Sequence, residues 1–418
     1  MNNSVYIKHK ANKDGKLNDI VITVLLVFYV LWRTPIVSYY MNTYLAMMAL
    51  VLLTVLVAFY DAKYFAGTPR VIIALIPFLL LTIGDQFLMG ATTSNSVVNV
   101  IWLIFLEVMP IFVGSLLVHN KMDFAIKALV PTIIVSHIVT AFTTYLGLLR
   151  FSEASRIMAT GGTHFEKYYV YNIGSFAFIY SLVLLHPLFV GYFRTRGRYV
   201  LSALTTVITA FCVIESEYTT AMLLFILSCV AYFLPTKSDS RLNQKRLTLI
   251  MVFLLVMLLM LPILLNALAE LDALEGSSEK LRDVAGLLQG REAEGKSVLA
   301  RQEVYSRSWK AFKSSPIIGV GLFGGGSGGH SYLIDTLAKW GILGLAFVLW
   351  FLFTFRREYK LITKGSSVYY YSVLFFVLVL LLCILNPKSW TYQLGFAAPI
   401  LIYRTVNMNP KLSETEEK

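Results

Sequence analysis

The feature that most constrains this chain is its set of long apolar blocks, such as Val21 to Trp32, Leu45 to Tyr60 and Leu247 to Leu265. A helix rises about 1.5 Å per residue, so roughly 20 such residues cross a hydrocarbon core about 30 Å thick. Helices are expected rather than barrel strands, because lipid offers no partner to a free peptide group and the blocks lack strict alternation. Composition agrees, since 57% of the 418 residues are apolar and 14% are charged, against roughly 25% charged in a soluble domain. The expected fold class is all-α: a polytopic helical membrane protein with about 12 transmembrane helices, forming a single transmembrane domain over residues 1–418.

Spans are expected near 18–37, 44–60, 71–88, 97–118, 124–149, 170–193, 199–214, 218–235, 247–265, 331–355, 368–386 and 391–406. The first follows a basic lead-in (Lys8, Lys10, Lys13, Lys16) with no small-residue cleavage site after it, so it reads as an anchor. With the N-terminus inside, most of the 36 Lys and Arg residues fall in inner segments, which is the orientation that basic residues enforce. Both termini are therefore expected in the cytoplasm. The short outer connections carry Arg33 in one, Lys388 in another and no basic residue around 89–96 or 215–217. Most of the net charge of +12 is accounted for by the inner loops, and no nucleic-acid partner is expected. Cys212, Cys229 and Cys383 all lie inside expected spans, which argues against an outer disulfide framework and against thiolate metal sites.

Two outer loops depart from the positive-inside pattern. The first, 150–169, holds Arg150, Arg156 and Lys167. The second, 266–330 between spans 9 and 10, holds Lys280, Arg282, Arg291, Lys296, Arg301, Arg307, Lys310 and Lys313, matched in number by its acidic residues. A neutral mixed loop of this kind is expected to form amphipathic helices, with Val298, Tyr305, Trp309 and Phe312 on one apolar face. After it comes Ser315-Pro316-Ile317-Ile318-Gly319-Val320-Gly321, then the glycine-rich stretch to Gly329, then His330 heading a span. The Gly-Lys-Ser/Thr of a nucleotide P-loop is absent, which argues against an NTPase. The glycines would serve either as a hinge or to let backbone N–H groups approach an anion. Among the histidines, His9, His119 and His186 sit at inner ends or within spans, His137 is mid-span, and His164 lies in the first outer loop. Only His330 stands at the outer mouth of a span behind a glycine loop.

Arg301, Trp309, Pro316, Gly319 and Gly321, followed by His330-Ser331-Tyr332-Leu333 and Gly341-Ile342-Leu343-Gly344, resemble the signature of the O-antigen ligase and polysaccharide polymerase superfamily. The detailed likeness covers residues 301–344. Arg156, Gly161-Gly162 and Asn172 are similar to an earlier element of that family, with Arg150 as a competing first-loop arginine. Two positions depart from the pattern: the Ser-Arg often found between two middle spans reads Ser216-Glu217, and Lys339 stands where an acid is common. Asp335 lies four residues before Lys339 on one helical face, where the two can pair, so that departure has a structural account.

The resemblance implies a GT-C-like membrane glycosyltransferase of the bacterial cytoplasmic (inner) membrane, acting on the extracytoplasmic face without nucleotide sugar, cofactor or metal. A polyprenyl (undecaprenyl) diphosphate carrier would donate a glycan to an acceptor hydroxyl. Arg301 and Arg156 would stabilise the departing diphosphate, since a guanidinium fork matches paired phosphate oxygens. His330 would take the acceptor proton, while Arg150, Asn172, Gly319, Gly321 and Tyr332 are candidate substrate contacts. The expected function is a polymerase of O-antigen, capsule or exopolysaccharide that elongates a carrier-linked repeat unit, with membrane lipid, a chain-length regulator and a flippase as further partners. A ligase acting on lipid A core is the alternative. A carrier-lipid flippase is a second alternative, to which only Glu107 beside Pro110 in mid-span points.

Overall fold

The computed structural model describes residues 13–40, 48–49, 70–89, 104–160, 166–236, 260, 262–267, 269–270, 275–288, 296–323, 326–386 and 390–407. All regular structure among them is helical. In order these are α1 (Lys13–Trp32), α2 (Pro35–Tyr40), α3 (Arg70–Met89), a π-turn (Ile104–Val108) running into α4 (Met109–His119), α5 (Asp123–Arg150), α6 (Ala154–Thr160), α7 (Glu166–Val170), α8 (Phe176–Arg194), α9 (Tyr199–Glu215), α10 (Thr219–Ser228) with a tighter last turn (Cys229–Phe233), α11 (Glu275–Leu288), α12 (Lys296–Ser314), α13 (Tyr332–Ile362), α14 (Val368–Leu385), and a second π-turn (Gln393–Ala397) leading into α15 (Ala398–Asn407).

Among the described residues, α5, α8, α13 and α14 are long and apolar enough to cross a membrane, and α1, α4, α9 and α10 are shorter apolar helices. The expected spans 44–60 and 247–265 lie almost wholly outside the described residues; each of the others has a helical counterpart. Several boundaries move. The span expected over 18–37 starts at Lys13 and ends at Trp32, with a break at Arg33 and Thr34 before α2. The span expected from 170 begins at Phe176, because 171–175 form a turn around Asn172, whose φ of 50° is left-handed. The span expected over 331–355 runs on to Ile362 and breaks at Gly341.

Packing around α8 explains the core. Its residues Ile179 to Gly191 are all buried, and it packs against α9, α10, α14 and α15. Its one buried imidazole is satisfied: His186 bonds Thr206 Oγ1 and Ser228 Oγ, each at 2.8 Å, as a polar group inside an apolar bundle must be. Outer helices instead present apolar stripes outward, Val135, Val139, Phe142, Leu146 and Leu149 on α5 and Leu343, Phe347, Trp350 and Phe353 on α13. Spacings of three and four put each stripe on one face, and exposed apolar faces of that extent suit lipid. Close crossings use small residues, as in membrane bundles generally. A Cβ on Gly114 would lie 2.2 Å from the Gly395 carbonyl oxygen.

The connections gather at two ends. One end is basic: Arg194 donates to the Ala231 carbonyl at 2.9 Å, and Ser367 Oγ donates to Thr236 O at 3.0 Å. At the other, the loop end, the Arg33 guanidinium lies 4.9 Å over the Tyr392 ring and the Tyr332 N–H donates to Asn386 O at 3.4 Å.

The break in α13 has a local cause. Gly341 has φ 63° and ψ −161°, which removes two N–H groups from the helical ladder, and the Pro316–Val320 strap takes them up. Ile342 N–H donates to Pro316 O at 2.9 Å, Leu343 N–H to Ile317 O at 3.3 Å, and Val320 N–H to Ala338 O at 3.0 Å. Such a crossing needs bare Cα atoms. A Cβ on Gly319, Gly321 or Gly341 would come within 2.2–2.8 Å of the opposing backbone. The close approach that Gly319 and Gly321 permit is thus to α13 itself.

Candidate active site at the loop end

Helix α12 lies against α13 and meets its first turn at Asp335, and its register differs from the expected apolar face. Ser308 is fully buried while Trp309 is 47% exposed, so the packed side runs through Tyr305, Ser308 and Phe312 instead. Trp309 stays near this side through its ring contact with Phe312 at 5.2 Å. The rotation is set by a polar anchor. Ser308 Oγ donates to Asp335 Oδ1 at 2.6 Å and accepts from Gly328 N–H at 2.7 Å.

Asp335 therefore does not pair with Lys339. Its buried carboxylate accepts from Ser308, from Gly329 N–H (3.1 Å) and from Ser331 N–H (3.0 Å). Lys339 turns to Asp85 of α3 at 2.9 Å, and Trp340 Nε1 donates to the same carboxylate at 2.7 Å. A carboxylate that can take two backbone N–H groups and a hydroxyl gains more than it would from a half-exposed ammonium four residues away. The consequence falls on His330, which sits between the two clamped amides. Its side chain is exposed at the head of α13, where Ser331 Oγ caps the helix by accepting from Ile334 N–H at 3.2 Å.

Arg301 lies one side of this clamp. Its charge reaches Tyr180 of α8 and Tyr305, and it forms no ion pair among the described residues. Burial pushes the Tyr305 phenol up, with the Arg301 guanidinium opposing and Asp335 reinforcing. The phenol stays protonated, and it donates to Leu385 O at 3.4 Å. Tyr180 Oη accepts from Asn386 Nδ2 at 3.1 Å. From Tyr180 a file of rings leads to the first loop: Phe176 meets Tyr180 edge-on at 4.6 Å and Tyr218 at 5.2 Å. Arg156 sits beside Tyr218, whose phenol burial raises and the guanidinium lowers. The Tyr218 hydroxyl is buried without a hydrogen-bond partner among the described residues, and an unsatisfied buried donor costs roughly 1–3 kcal/mol.

Arg150 is placed differently. It lies over the rings of Phe151 (5.4 Å) and Tyr171 (6.0 Å), so of the two competing first-loop arginines only Arg156 is electrostatically coupled to the ring file shared with Arg301. Asn172 is buried and donates to Thr143 Oγ1 at 2.9 Å, which pins the turn before α8 to α5. Tyr332 points inward, edge-on to Trp390 at 5.4 Å. Gly161-Gly162 and His164 lie outside the described residues. Tyr180, Tyr218, Asn386 and Ser308 escape sequence reasoning, being single polar residues within or at the ends of apolar or mixed helices. The only local hint was Asn386 closing a long apolar block before Pro387.

Long buried helices with lipid-facing stripes make this a multi-pass helical membrane protein. Residues 204–349 match the family model described as O-antigen ligase. That stretch runs from α9 through Arg301, the glycine strap and His330 to beyond Gly344, so the resemblance to the O-antigen ligase and polysaccharide polymerase superfamily stands. No curated protein matches the chain.

Proposed function

We propose that the chain is a polysaccharide polymerase that transfers a glycan from a polyprenyl diphosphate carrier to a hydroxyl of a carrier-linked repeat unit, on the extracytoplasmic face. The observation that carries this reading is the pair Arg301 and Arg156, set at either end of one file of rings, with Arg301 in no ion pair and the Tyr218 hydroxyl beside Arg156 unsatisfied among the described residues. Such a file offers two guanidinium groups and phenol donors to one dianionic group. Fixed donors aimed at developing charge supply much of the catalysis in comparable transfers.

The transfer balances as a single displacement. The acceptor oxygen bonds the anomeric carbon, its proton passes to the His330 imidazole, and the bond from the anomeric carbon to the phosphate oxygen breaks with its electron pair left on the diphosphate. Arg301 and Arg156 hold that charge, and the anomeric configuration inverts. Gly319 and Gly321 serve the site through the strap that sets the α13 break, and Asn172 through the turn that starts α8.

A ligase acting on lipid A core is the second reading, favoured by the description of the matching family. Purified protein in nanodiscs would be given carrier-linked repeat units alone, or together with lipid A core, in the presence of a chelator. Carrier-linked polymer from the first mixture supports the polymerase; product on the core only would replace it with the ligase. Activity that requires added divalent metal would overturn the metal-free displacement.

A further inference from the structure

Beneath the loop end, and on a different face of α8 from the arginine file, lies a cavity of about 490 Å³ between α1, the first π-turn, α5, α8 and residues 391–393. Ala177, Phe178 and Ser181 face it, whereas Phe176 and Tyr180 face the rings beside Arg301 and Arg156. Its polar wall is Arg33, Glu107, His137, Ser181, Thr391 and Gln393. Within it, His137 Nδ1 donates to Ile133 O at 2.8 Å, which leaves Nε2 to accept from Ser181 Oγ at 3.2 Å. Two aromatic members of the wall carry buried donors with no partner among the described residues, Trp32 Nε1 and Tyr392 Oη. Both side chains are more than nine-tenths buried. Buried donors are almost always satisfied, so two orphans on one polar wall point to a ligand that supplies acceptors.

The charge and the neighbouring groove narrow the class of that ligand. Arg33 lies over Tyr392 and pairs with no carboxylate among the described residues. Thr34 belongs at once to this cavity and to a second, apolar hollow of about 480 Å³ between α1, α2 and α5. That hollow is lined by Leu31, Val37, Val135 and Val139, and the two valines of α5 belong to the outward stripe that faces lipid. An apolar groove open to the bilayer, a cation at its head and a chamber of hydroxyl, amide and aromatic groups beyond match an isoprenoid chain, a phosphate and a sugar in that order.

We propose that this groove and cavity bind a second polyprenyl diphosphate-linked glycan, the acceptor, with Arg33 on its phosphate and the Trp32, Tyr392 and Ser181 wall around its first sugars. The inference rests on the polymerase reading, which needs two carrier-linked molecules at once, one on each face of α8.

The test uses the full chain in nanodiscs with a photo-reactive side chain at position 139 and a radiolabelled polyprenyl diphosphate carrying one repeat unit. Label should attach at 139, and unlabelled carrier-linked repeat should compete it away while a bulk phospholipid does not. Arg33→Gln should weaken that competition on the order of tenfold, as loss of a charge-assisted pair does. Arg33→Lys should restore part of it, and Arg301→Ala should leave it unchanged. In turnover, Arg33→Gln should raise the acceptor KM with kcat little altered. Competition by phospholipid equal to that by carrier would make the groove a site for bilayer lipid only and overturn the proposal, as would wild-type competition in Arg33→Gln. Labelling that behaves as expected in a protein making no polymer would refute the polymerase reading and leave the binding site in place.

Discussion

Arginines at the two ends of this molecule live different lives. At the basic end, Arg194 is used up by the fold, donating to the carbonyls of Ala231 and Tyr232. Arg356 there donates to Tyr369 Oη at 2.8 Å, and Arg196 covers the Tyr192 ring at 3.4 Å. At the loop end, Arg301 and Arg33 meet phenol rings and no carboxylate among the described residues. Lys339, which could have stood as a third free cation, is neutralised by Asp85. Cations at one end close the chain's own acceptors; at the other, under the proposed function, Arg301 and Arg33 serve a substrate anion.

The sharpest way to break that contrast is at the chemical step it is meant to serve. His330→Ala should lower turnover by about 10²- to 10⁴-fold, the range for loss of a general base, while carrier binding and membrane level hold. Near-normal polymer chain formation would leave the arginines without a partner reaction.

Next in size is Arg301→Lys, which keeps charge but not the fork. Loss of one preorganised donor costs on the order of 10²- to 10³-fold in other enzymes, and an ammonium cannot give two parallel hydrogen bonds. Arg307, paired at 3.8 Å with Glu303 in a pair that is mostly exposed, is the comparison: Arg307→Ala should be nearly silent. Equal losses at both, measured as polymer at matched membrane levels, would mean that α12 acts as a diffuse basic surface.

Asp335→Asn tests whether the clamp positions His330. An amide keeps one acceptor but turns its NH₂ toward donors, so roughly 1–3 kcal/mol of local order is lost. The expected outcome is a lower kcat with unchanged acceptor KM, along with faster proteolysis near Gly329. Unchanged protection and kcat together would reduce the network to packing.

Arg194→Ala should do the reverse of Arg301→Lys. It removes a charged donor from two carbonyls, worth about 1.5–3 kcal/mol each way such bonds are measured, and should lower the melting temperature in detergent while the surviving protein turns over at the normal rate. A specific activity loss with unchanged melting would erase the distinction between the two ends.

Hydrophobic block length and basic-residue counts, both local quantities, were enough to read the helical membrane class and the long apolar helices α5, α8, α13 and α14. The same local logic could not decide the partner of Lys339, because spacing of four says which residues can meet on one helix and nothing about what the next helix offers. Asp85 lies far away in sequence, and its approach depends on how α3 and α13 rotate and settle against each other. Tertiary packing likewise decided that Ser308, not Trp309, faces inward, that Gly319 and Gly321 meet the backbone of α13, and that Arg156 rather than Arg150 stands beside the ring file. The orphaned donors of Trp32 and Tyr392 belong to the same category. In the sequence they are two aromatic residues among many, and only the walls of α1, α5 and α8 closing around them bury their polar atoms with no hydrogen-bond partner among the described residues, since hydrogen bonding inside a bundle is settled by which faces are pressed together.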